Sequence, residues 1–477
     1  MINKFKNSFA SKPALLTLST LSLLIDAVIR GIINPAIPEI LQVEMKSSTN
    51  ANGFLVGCYG LGVLIGAPFI SYLSDRSGKR KIYMFAGFLV LGVSSLGIGL
   101  SKQIYQIFLA RFGQGIASGI TRSLGLASLI DIYPPDKLDF SISMVYSGLT
   151  LGTVGGPFIG GIVYSYRGKM GISYAMIGFS LLNMVARILV PDSEQLRQSL
   201  EKSDQLDTNS KKEIKSNCLE FTENNIETNV SDPVITNKNR EEKADTKIRD
   251  NTIQRDSKIN FFDFFKEHQI LAVCAVTIIA HGGTSSMGVI LPIYLSDKFR
   301  MDSKKIGYTL IGPSVSGIIG GLIFGRLTEM DVMTKIFGPN KKRYFVILGG
   351  NFLAGLFIIF LGLNNTVYSV VVIVGFIGFC LGFGNAPVMT TFGSHISLML
   401  KKRETKEKTS RTRQGANSQI YSLYNISHSV GVLVIPILAS IIYNSKGFLV
   451  VNVILGVFML VITVLSMGSV LIFSMGR

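Results

Sequence analysis

Two opposite charges sit one helical turn apart inside an otherwise apolar stretch, Asp26 and Arg30 in "LSLLIDAVIRGIINPAIPEI" at positions 21–40. Residues four apart share one side of a helix. A carboxyl group held away from water is the side chain best suited to carry a proton, because burial favours its neutral form and a nearby guanidinium its ionised form. The alternative is a permanent Asp26–Arg30 pair that only fixes the helix. A second set lies in "ARFGQGIASGITR" (110–122), where Arg111 precedes Gln114 and Gly115, and Arg122 returns eleven residues later to nearly the same face. Arg122 has two readings, a side chain reaching back to the membrane surface or one lining a polar interior. A third set is "GAPFISYLSDRSGKRK" (66–81), in which an apolar run stops at Asp75 and a knot of cations follows, with Arg76, Gly78, Arg80 and Lys81 among its residues. A carboxylate there can bond to cations or to the exposed N–H groups of a neighbouring helix start, and so favour one arrangement over another. His281, in "IIAHGGTSS", takes second place to Asp26 as a proton carrier, since imidazole titrates near neutrality but a lone histidine in a helix more often serves packing.

What surrounds these residues follows from composition. Of 477 residues, 48% are hydrophobic and 16% charged, and the mean hydropathy is +0.41, which is wrong for a water-facing surface. Apolar runs fall near 14–35, 53–73, 82–100, 104–130, 140–164, 170–190, 268–294, 306–327, 343–362, 367–395, 418–442 and 447–473. Many approach the roughly 20 residues that cross a bilayer. The expected architecture is all-α and integral to the membrane, with twelve spans in two six-helix bundles. The 49 glycines then read as sites where helices pack closely.

Between residues 191 and 267 the chain turns polar, rich in Asn, Ser, Glu and Lys, and no periodic apolar pattern runs through it. It predicts a largely disordered linker between a first bundle, 1–190, and a second, 268–477. The second and eighth spans both run from glycines through a leucine to an acid, Asp75 or Glu329, and then to a basic cluster, as an internal duplication would produce.

The net charge of +17 comes largely from short basic stretches such as 76–81, 341–343 and 401–413, which fall on one side of an alternating twelve-span chain. That pattern sets orientation, with both termini cytoplasmic, and offers nothing for nucleic acid. Cys58, Cys218, Cys274 and Cys380 are scattered and suggest neither a disulfide framework nor a metal site. No phosphate loop, HExxH or nucleophile motif is apparent, so neither ATP-driven transport nor an enzyme is expected, and no cofactor.

The stretch "SYLSDRSGKRK" resembles the signature loop between the second and third helices of the major facilitator superfamily, with Ser71 in place of its first glycine. The resemblance implies that Asp75 touches the start of the eleventh helix and that Arg76 pairs with an acid closing the fourth, the place held by Asp131. "ARFGQGIASGITR" resembles the family's second motif through Arg111, Gln114 and Gly115. "GLTLGTVGGPFIGG" (148–161) resembles its antiporter motif, with Gly152, Gly156, Pro157, Gly160 and Gly161 in register, and in the family that motif marks exporters.

Together these imply a monomeric, proton-coupled transporter of the plasma membrane, of the twelve-span drug:proton antiporter type. It would export small amphipathic compounds by alternating access, in exchange for protons, with the gate at Asp75 and proton coupling through Asp26, Arg30, Arg111 and Gln114. A metabolite or sugar exporter on the same fold is the alternative, since the motifs do not specify substrate. A membrane-embedded sensor or enzyme is more remote.

Overall fold

The computed structural model describes residues 11–77, 80–130, 132–133, 135–191, 196, 268–338, 342–364, 366–385, 388 and 412–475, and these are helical almost throughout, with no strand among them. The helices are α1 (Lys12–Ile32), α2 (Asn50–Ser77), α3 (Arg80–Leu100), α4 (Ile104–Ile130), α5 (Pro135–Leu189), α6 (His268–Phe299), α7 (Ser303–Glu329), a short α8 (Asp331–Phe337), α9 (Lys342–Gly362), α10 (Val367–Asn385) and α11 (Thr412–Met475). Two of these runs are pairs of helices. Backbone at Gly168 (φ 59°) divides α5 and Gly447 (φ 80°) divides α11, both in the left-handed region that glycine enters without steric cost.

Among the described residues nine helical stretches are long and apolar enough to cross a membrane, and two of them, Met144–Leu189 and Leu423–Ser469, are of double length. Helix α4 lies below that apolar threshold although its 27 residues measure about 40 Å. With those two divided and α4 included, the arrangement agrees with twelve crossings in two bundles. The side chains facing outward are apolar, among them Leu109, Val185, Val464 and Leu465, as a lipid-facing surface requires.

Glycines set the packing. In the first half, Gly156 of α5 meets α1 so closely that an added Cβ would lie 2.9 Å from the Gly31 Cα, and Gly62 of α2 meets Gly115 of α4 at 2.9 Å. In the second half, Gly282 of α6 meets the Gly431 carbonyl of α11 at 2.8 Å, and Gly317 of α7 meets the Gly378 carbonyl of α10 at 3.1 Å. The second limb of α5 packs on α3, with Ser173 and Ser180 donating to the Ser95 and Phe88 carbonyls, each at 2.6 Å. Correspondingly, the second limb of α11 packs on α9 through Gly355 and Gly456. Among the described residues the halves meet most extensively where α2 packs on α11 at Gly60 and Leu433, and where α5 packs on α7 at Gly161 and Gly307. Each of these contacts has its counterpart in the other half, as in a duplicated fold. Both acids of the proposed repeat lie in the last turns of corresponding helices, Asp75 in α2 and Glu329 in α7.

Candidate functional site: a buried charge network between the halves

Helix α1 presents Asp26 to the interior, where it is 2% exposed. Its partner is Arg122 of α4 and not Arg30: the Arg122 Nε and Nη2 both donate to Asp26 Oδ2 at 3.3 Å. The same oxygen accepts from Ser118 Oγ at 2.8 Å, Ser118 in turn accepts from the Tyr59 hydroxyl at 2.7 Å, and Arg122 Nη2 donates to that hydroxyl at 3.3 Å. Asp26, Ser118, Tyr59 and Arg122 thus close a ring drawn from α1, α2 and α4. Each hydroxyl donates once and accepts at least once. The close approach of Gly62 and Gly115 brings α2 near enough to α4 for Tyr59 to take part. Arg122 is 5% exposed, so its place is the interior and not the membrane surface.

About three turns back from Arg122 along α4 toward its start, Arg111 Nη1 donates to Gln114 Oε1 at 3.1 Å, and Gln114 Nε2 donates to Ser95 Oγ of α3 at 3.0 Å. Arg111 and Gln114 are buried, and Arg111 Nε has no hydrogen-bond partner among the described residues. Positions 111, 114, 118 and 122 are spaced three or four apart, so one face of α4 supplies both networks. Arg30 is half-buried and within electrostatic range of Arg122, Tyr59 and Asp26.

Across the interface the second half presents His281 of α6 with Tyr424 and His428 of α11. The Tyr424 hydroxyl lies 3.0 Å from His281 Nε2, and the two imidazoles stand 4.7 Å apart between centroids. His281 is therefore not a lone histidine. Tyr146 of α5 reaches over from the first half and meets the Tyr424 ring edge-on at 6.2 Å. Arg30 and Arg122 are near enough to act electrostatically on His281, His428 and Tyr424. The two clusters accordingly form one polar centre.

The antiporter-motif residues divide between two partners. Gly152, Gly156 and Gly160 lie against α1, at Leu24, Val28 and Ile32, Gly161 lies against Ser303 and Gly307 of α7 in the other half, and Pro157 touches both, its ring against Gly31 of α1 and its carbonyl against Gly307. In the loop motif, Arg76 is exposed, Arg80 is half-buried, and Lys81 donates through Nζ to the Ile188 and Val190 carbonyls at 3.1 and 2.9 Å. Lys81 thereby satisfies the last carbonyls of α5. Gly78, Asp131 and the side chain of Asp75 lie outside the described residues, as do nearly all of 191–267 and of the basic run 401–413.

Sequence reading did not single out Tyr59, Ser118, Tyr146 or Tyr424. Ser118 had a signal, its place on the arginine face of α4, and Tyr424 had one in its spacing four residues from His428. Tyr59 had none, because a tyrosine in an apolar run reads as packing until its neighbour is known.

Comparison with known proteins agrees with this architecture. The profile of the Major Facilitator Superfamily matches residues 20–406. An uncharacterized MFS-type transporter, C18.02, of Schizosaccharomyces pombe is 20% identical over 92% of this chain and 91% of its own. The synaptic vesicular amine transporter of Homo sapiens is 20% identical over 88% of this chain and 68% of its own. Multidrug resistance protein 1 of Bacillus subtilis is 28% identical over 33% of this chain and 40% of its own. In fold, the crystal structure of the nucleoside transporter NupG superposes with a TM-score of 0.62 at 11% identity, covering 95% of this chain and 98% of the other. With that match across most of its length, and with paired helical bundles around a buried polar centre, the chain is a member of the Major Facilitator Superfamily.

Proposed function

We propose that this transporter exports small amphipathic compounds by alternating access in exchange for protons, with Asp26 as the group that takes up the proton. The observation that carries this reading is the buried ring of Asp26, Ser118, Tyr59 and Arg122. Ionisable side chains inside membrane helices are costly and persist where they serve transport. Protonating Asp26 would remove the charge that Arg122 balances and free a guanidinium within reach of the second half. A proton would thereby change what the two halves offer each other. Direction is supported by the register of Gly152, Gly156, Pro157, Gly160 and Gly161, and substrate class by the relatives named for amine transport and multidrug resistance. Arg30, Arg111 and Gln114 tune the network, and Asp75 with Arg76, Gly78, Arg80, Lys81 and Asp131 gates the end that carries the basic loops.

In this reading the protein acts as a monomer in the plasma membrane with both termini cytoplasmic. Residues 191–267 tether a first domain, 1–190, to a second, 268–477. The test is efflux of an amphipathic compound panel from energised vesicles with and without a pH gradient. Wild-type protein should extrude at least part of the panel, and collapsing the gradient should stop it. Asp26→Asn, which keeps size and hydrogen-bonding capacity, should abolish the gradient-dependent part while substrate binding persists. Uphill efflux by Asp26→Asn with an unchanged pH profile would assign the proton elsewhere.

A further inference from the structure

The first helix does not end where α1 does. After a 3-10 turn at Asn34–Ala36 the chain winds into a π-helical segment, Pro38–Glu44, an uncommon geometry that is frequent at functional sites. This segment lies at the end of the bundle opposite the basic loops and carries two acids. Glu44 stays within its own half, accepting from the Tyr164 hydroxyl at 2.8 Å and pairing with Lys169 at 3.4 Å, while Lys169 also donates to the Ser101 carbonyl at 2.7 Å. Glu39 reaches both ways: it acts on the Tyr164 hydroxyl of its own half, and across the interface its Oε1 accepts the backbone N–H of Ser303, the first residue of α7, at 3.2 Å.

That N–H is one of the donors a helix start leaves without an internal partner, and the helix dipole favours a carboxylate there. Asp302 already caps the same helix by accepting from the Lys305 N–H at 3.2 Å, so Glu39 takes a donor that the local cap leaves over. The same turn is gripped from the first half by other groups. An added Cβ at Gly161 would lie 2.6 Å from the Ser303 carbonyl, Phe158 packs on Tyr308 at 5.7 Å, and Lys304 Nζ sits 5.7 Å over the Tyr166 ring. Ser303 is 2% exposed and Glu39 half-buried, so the contact is partly shielded from water.

We infer that Glu39 is the latch that holds this end of the transporter closed, by capping α7 across the domain interface. Glu44, Tyr164 and Lys169 fix the π-helical segment to the first half, so a rocking motion carries Glu39 along and withdraws it from Ser303. The contact exists in one state only and biases the equilibrium between states rather than adding uniform stability. A carboxylate would then close each end of the molecule in turn, Glu39 on α7 here and Asp75 at the end with the basic loops. The inference rests on the alternating-access reading and on nothing about substrate or protons.

The test uses full-length protein in lipid nanodiscs, with the four native cysteines replaced by serine and spin labels at Gln103 and Leu363, which sit at this end on opposite halves. Pulsed electron paramagnetic resonance then reads the short and long distances as closed and open populations. Glu39→Ala should shift their ratio toward the open form by about ten-fold, the usual scale for one charge-assisted hydrogen bond. Ser303→Pro deletes the donated N–H at a helix position where proline is tolerated and should do the same, while Ser303→Ala, which removes the hydroxyl and keeps the N–H, should not. Glu39→Gln should fall between. The double variant should open no further than either single variant, because both remove one bond. Distances unchanged by Glu39→Ala and Ser303→Pro, or effects of the two that add, would overturn the latch. A wild type that shows one fixed distance under every condition would instead overturn alternating access itself.

Discussion

The two halves bring their helices together in the same way and fill the centre differently. Gly62 against Gly115 and Gly317 against Gly378 are equivalent contacts, as are Gly156 against α1 and Gly431 against α6. Yet the first half places a carboxylate and a guanidinium at its centre, tied by Tyr59 and Ser118, whereas the second places two imidazoles and a phenol. A shared backbone plan fixes where side chains point, and the residues chosen then decide whether a bundle holds its centre by charge or by neutral hydrogen bonds.

This difference can be broken most sharply at Arg122. Arg122→Leu leaves the Asp26 carboxylate buried without its counter-charge, and removing one partner of a buried pair costs about 3–5 kcal/mol. The unfolding midpoint in detergent should fall steeply, and Asp26→Asn in the same chain should recover part of the loss because the orphaned charge is gone. If Arg122→Leu melts like wild type, the ring is not held by charge. Tyr59→Phe is the intermediate case: it removes a donor to Ser118 and an acceptor for Arg122, for about 2 kcal/mol. A double-mutant cycle with Ser118→Ala should show strong coupling. The smallest effect is expected in the second half, where Tyr424→Phe removes the neutral contact with His281 and should cost about 0.6 kcal/mol, the average for such bonds inside membranes. Equal losses from Tyr59→Phe and Tyr424→Phe would show that the two centres differ in composition but not in strength.

Much of this was legible in the residues. Periods of apolar sequence marked the helices, because hydrocarbon admits few alternatives to a helix that satisfies its own backbone. The glycines of "GLTLGTVGGPFIGG" marked a packing face, and the structure adds that they serve two partners, α1 in the same half and α7 in the other. Asp26 stood out because a charge in an apolar run is expensive. Its partner did not, since Arg30 lies one turn away in sequence while Arg122 lies on another helix, and only the crossing of α1 with α4 decides between them. Similarly, the basic loop residue Lys81 reads as an anchor in water, but it caps the end of α5, which the chain reaches more than a hundred residues later.

By itself the sequence determined the solvent, the helical periods and the cost of every buried charge, since those depend on residue type and short-range spacing alone. Only the tertiary structure decided which costs are offset and by whom, as with Asp26 by Arg122, His281 by Tyr424 and the start of α7 by Glu39. Such partners meet because glycine-lined helices cross at set points, and a crossing is a property of two surfaces that no single stretch of chain contains.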